Sequence, residues 1–435
     1  MNSDVIFALA SGAGRAAIAV LRMSGPGSAT VLKAVTGRLP APRMASLRKL
    51  RHPATAELLD QALVLWFPGP ASYTGEDSAE FHLHGGSAVV AGVAEALVSA
   101  GARPAEPGEF TRRAFLTGKL DLTAAEGIGD LIDAETAGQR RQALRQAGGA
   151  LATLYEGWAT RLTALLARQE AFIEFEDEDL PVGLDDAVGV AATVLRTEIA
   201  THLADGGRGE RLREGLLVAI LGAPNAGKSS LLNALVGREA AIVSARAGTT
   251  RDVVEASLDL GGVPVTLADT AGLREATDDI EVEGIRRARR RAEDADVLLL
   301  VFAADEPADE KTLEWMRPDA LVVANKCDLA PLPHGLGAMP VSARTGLGLD
   351  ALRVRLTEKA AERAGTTTET LLTRPRHRAA LQDAIGWLTE LDRAVLPELR
   401  AEALRAAARA LGRITGRVGV ETVLDAVFAE FCIGK

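Results

Sequence analysis

The sequence predicts a multidomain α/β protein: an N-terminal α+β domain, then a helical domain into which a doubly wound α/β domain is inserted. Three observations carry this expectation. From about Leu216 an apolar strand, a glycine-rich turn and a helix follow one another several times, the rhythm of a parallel sheet covered by helices. Before Gly118, short alternating or apolar runs are separated by Gly/Pro turns, as in an α+β domain. Between these regions, and again beyond about Thr366, apolar residues recur every three or four positions in Ala/Leu/Arg-rich sequence, which is the signature of helices. The expected boundaries are 1–118, then a discontinuous helical domain at 119–213 and 367–435, with 214–366 inserted.

In the first region "AAIAVLRM", "QALVLWF" and "AEFHLHGG" read as strands. His82 and His84 alternate on the last of them and so share a face. They could suggest a metal pair, but no further ligand cluster accompanies them, and a pocket-lining or core role competes with that reading. After "KLDLTAAEGIGDLIDAET" the chain turns helical through "LATLYEGWATRLTALLARQEAFIEF". "EFEDEDLP", Glu174 to Pro181, breaks the helix with carboxylates and a proline; it reads as a solvated turn, with a metal site as the alternative. "ELRAEALRAAARALGRI" restores the helical pattern near the end, and no internal repeat of useful period is present.

At 435 residues with 47% hydrophobic content, the chain can bury more than one core. The longest apolar run, "VLLLVFAA", is far shorter than the roughly 20 residues a membrane span needs, and Arg15 interrupts the only early apolar patch, unlike a secretion signal. Two cysteines, Cys327 and Cys432, give no disulfide framework and fit a reducing compartment. A cytoplasmic protein without a membrane segment is expected. The net charge of −10 argues against indiscriminate nucleic-acid binding, which depends on phosphate neutralisation by Lys and Arg. Only eight of the 49 Lys plus Arg residues are lysine, so each lysine merits inspection: Arg does not replace a compact ammonium at a tight site.

"LLVAILGAPNAGKSSLLNAL" places Gly222 to Ser229 in the spacing GxxxxGK[ST] between a strand and a helix. Glycines let backbone N–H groups wrap phosphate oxygens at a helix N-terminus. Lys228 would reach the β- and γ-phosphates and the Ser229 hydroxyl would ligate magnesium. Asn225, Ala226, Gly227 and Ser230 complete this Ras-like P-loop. In "AGTTRD", Thr250 is placed to complete the magnesium shell, and "LADTAG" supplies Asp269 as an indirect magnesium partner, followed by Thr270, Ala271 and Gly272. "LVVANKCDL" ends a buried strand with Asn325, Lys326 and Asp328. The NKxD pattern resembles that of translation-factor-class GTPases and implies guanine: Asp328 accepts from N1 and N2 of the base, Lys326 flanks it, and Ser342, Ala343 and Arg344 resemble the fifth guanine-contact loop. Leu273 stands where many such proteins carry the glutamine that holds the attacking water.

The ordered set "GAPNAGKSS", "AGTTRD", "DTAGLREA…IEVEGI" and "FCIGK", with "GRAAIAVLRMSG", "LWFPGPASYTGEDSAEFHLHGG" and "RPAEPGEFTRRAFLTGKLDLTAAEGIGDLIDA" before it, closely resembles the MnmE (TrmE) family of tRNA modification GTPases over nearly the full length. The resemblance implies a potassium ion in the role of an arginine finger, held by Asn225 and Ser244 and by the loop of Ala245, Arg246, Ala247, Gly248 and Thr249, with Arg246 and Thr249 among its ligands. It implies that Glu281 orients the water through a bridging water, which would answer the absent glutamine; read alone, Glu281 is an ordinary helix-start carboxylate. It implies that the first domain binds methylene- or formyl-tetrahydrofolate through Arg22, Glu80, Lys119 and Lys435. A carboxylate suits the amide-like pterin edge and basic groups suit the glutamate tail. Lys119, Lys228, Lys326 and Lys435, half of the eight lysines, thus fall at motif positions.

The implied function is a GTPase that, with the flavoprotein MnmG (GidA), adds an aminomethyl-type group, carboxymethylaminomethyl, to C5 of the wobble uridine of certain tRNAs. A homodimer built on the N-terminal domains and a heterotetramer with MnmG are implied with it. Cys432 is a nucleophile by type or simply structural, and "RRARRR", Arg286 to Arg291, is a contact to tRNA or to the partner domain, or a solvated helix face. His82 replaces the family's expected glutamine. The alternative function is a GTP switch docking on the ribosome or RNA without modification chemistry; such proteins usually append an RNA-binding module built around a GXXG loop, or a second G domain, and neither module is recognised in this sequence.

Overall fold

The computed structural model describes residues 4–174, 184–237, 255–269, 289–332, 335–365 and 372–418, and in the tail 424, 427–429, 431 and 434. Contacts divide the chain into two compact units, Met1–Gly129 with Leu151–Gly157 and Gly412–Lys435, and Asp130–Ala150 with Trp158–Leu411. Each contains a six-stranded sheet.

The first unit is built from β1 (Val5–Leu9), β2 (Ile18–Ser24), α1 (Ser28–Thr36), β3 (Ser46–Arg51), β4 (Leu58–Phe67), β5 (Ser78–His84), α2 (Ser87–Ser99), β6 (Ala102–Pro104) and α3 (Glu109–Leu116). Its strand order is β3-β4-β5-β2-β1-β6, antiparallel except for the parallel β1–β6 pair. Period-two alternation sends Ala79, Phe81 and Leu83 of β5 into a core with Val31, Leu32, Val93 and Leu97 of α1 and α2. Glu80, His82 and His84 therefore line the other face. The β2–β5 register sets Arg22 directly opposite Glu80.

α4 (Leu122–Asp133), α5 (Ala137–Ala147), α6 (Ala150–Glu174), α7 (Leu184–Leu203) and α8 (Arg208–Glu214) follow, confirming the expected helical stretch. The second sheet then comprises β7 (Leu216–Leu221), α9 (Lys228–Val236), β8 (Glu255–Leu260), β9 (Val263–Asp269), β10 (Val297–Ala303), α10 (Glu310–Leu313), β11 (Leu321–Asn325), β12 (Met339–Pro340) and α11 (Leu349–Ala364). Its order is β12-β11-β10-β7-β9-β8. β7 and β10 are almost continuously buried, as strands covered on both faces must be. One correction applies to the parallel arrangement expected from sequence: β8 pairs antiparallel with β9. Gly261 and Gly262, both at positive φ, join them in a two-residue turn, and a Gly-Gly pair is suited to such tight hairpins.

α12 (Pro375–Arg393) and α13 (Pro397–Thr415) complete the helical pattern. Pro375 sits at the start of α12, where a missing N–H costs nothing. Val188, Ala192, Leu195 and Ile199 of α7 are buried at spacings of four and three, and so are Ala380, Leu381, Ala384, Leu388 and Leu391 of α12. These two helices pack together, each burying the apolar stripe its sequence displays.

Candidate functional site

The end of β7 delivers the glycine-rich loop. Asn225 adopts φ 68° and Gly227 φ 88° before α9 begins at Lys228; Asn and Gly are the residues that enter this left-handed region at least cost. A Cβ on Gly227 would lie 2.2 Å from Asn325 Nδ2, so only glycine admits the neighbouring loop. Asn325 Nδ2 donates to Ala226 O at 2.8 Å, and Asn325 Oδ1 accepts from the Ala343 N–H at 3.1 Å. One buried amide thus ties three separate motifs together. Lys228 Nζ donates to the carbonyls of Gly222 at 2.9 Å and Ala223 at 3.0 Å, which holds the ammonium inside the loop.

Ser229 Oγ donates to Asp269 Oδ2 at 2.5 Å, and Asp269 is 3% exposed. Its other oxygen, Oδ1, is buried and has no hydrogen-bond partner among the described residues. A hydroxyl and a carboxylate with a free oxygen form a donor set suited to a hard divalent cation. Beyond β11, Asp328 accepts from Ser342 Oγ at 2.6 Å and from Arg344 Nη2 at 2.5 Å. The Ser342 hydroxyl and then the Arg344 guanidinium hold this carboxyl below the usual range despite the opposing effect of desolvation. Lys326, at φ 63°, lies 3.0 Å from Asp305 and 3.6 Å from Glu306. The hydrogen bond to Asp305 raises the ammonium above its ordinary value. Sequence reasoning missed Asp305 and Glu306; their position just after β10, the strand neighbouring β11, was the available signal.

Sequence-expected residues of the phosphate loop, Asp269, Asn325, Lys326, Asp328, Ser342, Ala343 and Arg344 therefore converge at one end of the sheet. Ser244, Ala245, Arg246, Ala247, Gly248, Thr249, Thr250, Thr270, Ala271, Gly272, Leu273, Glu281, Cys432 and Lys435 lie outside the described residues.

In the first unit Arg22 Nε and Nη2 donate to Glu80 Oε1 at 3.2 and 3.1 Å. The Arg22 guanidinium lies 5.5 Å from the Tyr73 ring centroid. Tyr73, whose phenol burial pushes upward in pKa, shares a 2.9 Å hydrogen bond with Thr111. Ser24, Thr74 and Ser78 share hydroxyl contacts at 2.7 and 3.2 Å, fastening the loop before β5 to both central strands. Lys119 follows α3, its Cε 3.5 Å from where a Gly75 Cβ would sit. Gly434 approaches β1 so closely that a Cβ would meet Leu9 O at 2.3 Å. Gly434 thus lies against the strand beside β2. His82 and His84 share a face as expected but engage separate carboxylates, Glu80 at 3.6 Å and Asp60 at 2.7 Å. Among the described residues, no cluster of three or more His, Cys, Asp or Glu side chains is placed to hold a metal ion, and no helix is long and apolar enough to cross a membrane.

The α/β sheet with its glycine loop, Asp269 and NKxD corner defines a P-loop GTPase. A family model for the GTP-binding protein TrmE N-terminus matches residues 5–119, and one for the MnmE helical domain matches 122–432. The tRNA modification GTPase MnmE of Gluconacetobacter diazotrophicus is 59% identical over 99% of this chain and 98% of its own length. That of Granulibacter bethesdensis is 53% identical over the whole of both chains, and that of Paramagnetospirillum magneticum 55% over the whole of both. The chain belongs to the MnmE family of tRNA modification GTPases.

Proposed function

We propose that this protein hydrolyses GTP with magnesium and potassium and, with the flavoprotein MnmG, installs a carboxymethylaminomethyl-type group at C5 of the wobble uridine of certain tRNAs, drawing one carbon from a tetrahydrofolate. The observation that carries the GTPase half is the convergence on Asn325 of the glycine loop, bonded through Nδ2, and of the 342–344 loop, bonded through Oδ1, the latter loop also holding Asp328 through Ser342. Asp328 accepts from guanine N1 and N2, a donor pair adenine lacks. Lys228 neutralises the β- and γ-phosphates, while Ser229 and Thr250 hold magnesium, with Asp269 Oδ1 accepting from its water shell. Bound magnesium supplies positive charge against the developing phosphate oxygens.

Asn225, with Ser244, Arg246 and Thr249, would hold potassium, and Glu281 would orient the attacking water where Leu273 cannot. Asn225 is exposed at the tip of the loop, a position from which its amide oxygen can serve as a ligand. For the second chemistry, Glu80, anchored by Arg22, presents a carboxylate to the pterin edge, and Lys119 and Lys435 meet the glutamate tail. We place the folate domain at 1–118, the helical domain at 119–213 and 367–435, and the G domain at 214–366, in a cytoplasmic homodimer that pairs with MnmG.

The test is steady-state GTP hydrolysis in potassium chloride against sodium chloride at equal ionic strength. Potassium is expected to raise the rate at least tenfold, as removal or supply of one preorganised electrostatic group does. Equal rates in the two salts would remove potassium and the Asn225 cage from the mechanism.

A further inference from the structure

We infer that the first turn of α5 positions the nucleotide site from its far end: Thr136, Gly138 and Gln139 are positioning residues that set β7 against β9, and thereby Ser229 against Asp269. The inference rests on reading 222–229 and Asp269 as the nucleotide site.

The two strands that deliver that site run side by side in parallel, with Leu216 opposite Val265 and Ile220 opposite Asp269. β7 leads into the glycine loop and β9 ends on Asp269. Both strand entries are held by one helical turn. At the entry to β9, the Gly262 carbonyl accepts from Thr136 Oγ1 at 2.7 Å, in a buried bond, and from the Gly138 N–H at 3.1 Å. Just before β7, the Arg213 carbonyl accepts from Gln139 Nε2 at 2.9 Å. Gln142 Nε2 adds a bond to Gly209 O at 3.0 Å. The approach is too close for any side chain at position 138, where a Cβ would stand 2.1 Å from Gly262 O.

The turn is itself rigid. Thr136 caps α5 and Gln139 reaches back to the Thr136 N–H in a capping box, which satisfies orphan amides reciprocally. Asp130, at the end of α4, accepts from Arg213 Nε at 2.9 Å and Arg374 Nη2 at 2.7 Å, so the same joint reaches α12. β9 is buried along nearly its whole length. A close-packed strand transmits displacement rather than absorbing it. A shift at Gly262 therefore becomes a shift of Asp269 relative to Ser229, and nucleotide binding must act back on α5 with the same coupling.

Full-length Thr136→Val, Thr136→Ser and Gly138→Ala proteins test this in two ways. Hydrogen exchange of the nucleotide-free proteins is read on peptides covering β9 and β11, and a fluorescent GTP analogue is titrated at several magnesium concentrations. Thr136→Val and Gly138→Ala are expected to speed exchange in β9 but not β11 and to weaken magnesium-dependent binding about fivefold or more; Thr136→Ser keeps the hydroxyl and should behave as wild type. Wild-type β9 exchange and affinity in a folded Thr136→Val protein, or exchange raised equally in β9 and β11, would overturn the inference. Should the wild-type chain bind no guanine nucleotide, the GTPase reading falls, while exchange in β9 still decides this one.

Discussion

Asp328 shares its carboxylate between Ser342 and Arg344, and the ionised form those donors favour is the form that can accept two hydrogen bonds from guanine. Replacing it by Asn keeps the shape but puts an NH2 group where an acceptor is needed, so one base donor meets another donor. Asp328→Asn should weaken GDP binding roughly a hundredfold, the scale for losing charge-assisted bonds and leaving a donor unpaired. The same exchange suits xanthine, whose ring carries a carbonyl where guanine has its amino group. Isothermal titration with GDP and XDP provides the check: a variant that loses both nucleotides equally would point to a damaged loop, and one that keeps GDP would show that the base is read elsewhere. Asn325, three residues before Asp328 at the end of β11, acts differently, since its amide bonds the glycine loop and Ala343.

At the scale of elements, α3 illustrates how much of the molecule the sequence displays and what it hides. Its helical pattern and the family-like "EPGEFTRRAF" are visible along the chain, but nothing there announces that Glu109 and Arg113 are buried, 8% and 6% exposed. Arg103 donates to Glu109 at 2.6 and 2.9 Å, and Arg113 donates to Glu109 and to Asp4, each at 2.9 Å. Against the opposing effect of burial, the Arg103 hydrogen bond, the Glu106 N–H and Arg113 hold the Glu109 carboxyl below its ordinary value. A carboxyl depressed in the folded state contributes stability that is full above its unfolded value, about 4.3, and is lost as pH falls through the folded value. Glu109→Gln should therefore cost about 3 kcal/mol at pH 7, the low end for breaking a buried pair, and less near pH 4. Urea unfolding at the two pH values checks it; an equal loss at both would assign the effect to packing. Phosphate-loop, NKxD and helix periodicities were legible because each is a local pattern. The β8–β9 antiparallel edge was signalled by Gly261–Gly262 but masked by the expectation of a parallel sheet, and Asp305 beside Lys326 became evident only when β10 and β11 were neighbours. Tertiary partners separated by many residues leave no period to read.

At the scale of the whole molecule, two chemistries are assigned to residues in two compact units, and the molecule offers an internal reporter for separating them. Trp66, 3% exposed in the core around β4, is the only one of the four tryptophans in the first unit; Trp158, Trp315 and Trp387 fall in the second. A protein carrying Phe at those three positions reports the first unit alone, and the parent chain reports mainly the second. A ligand stabilises the state it binds by RT ln(1 + [L]/Kd), about 2.7 kcal/mol at a hundredfold excess over Kd. GDP with magnesium should raise the transition seen by the second-unit tryptophans. If Glu80 and Arg22 contact formyl-tetrahydrofolate as proposed, that ligand should raise the transition seen by Trp66, and Glu80→Ala should abolish that rise while leaving the GDP effect intact. If formyl-tetrahydrofolate leaves the Trp66 transition unmoved at concentrations where GDP stabilises the second unit, the GTPase stands and the folate half of the proposed function does not.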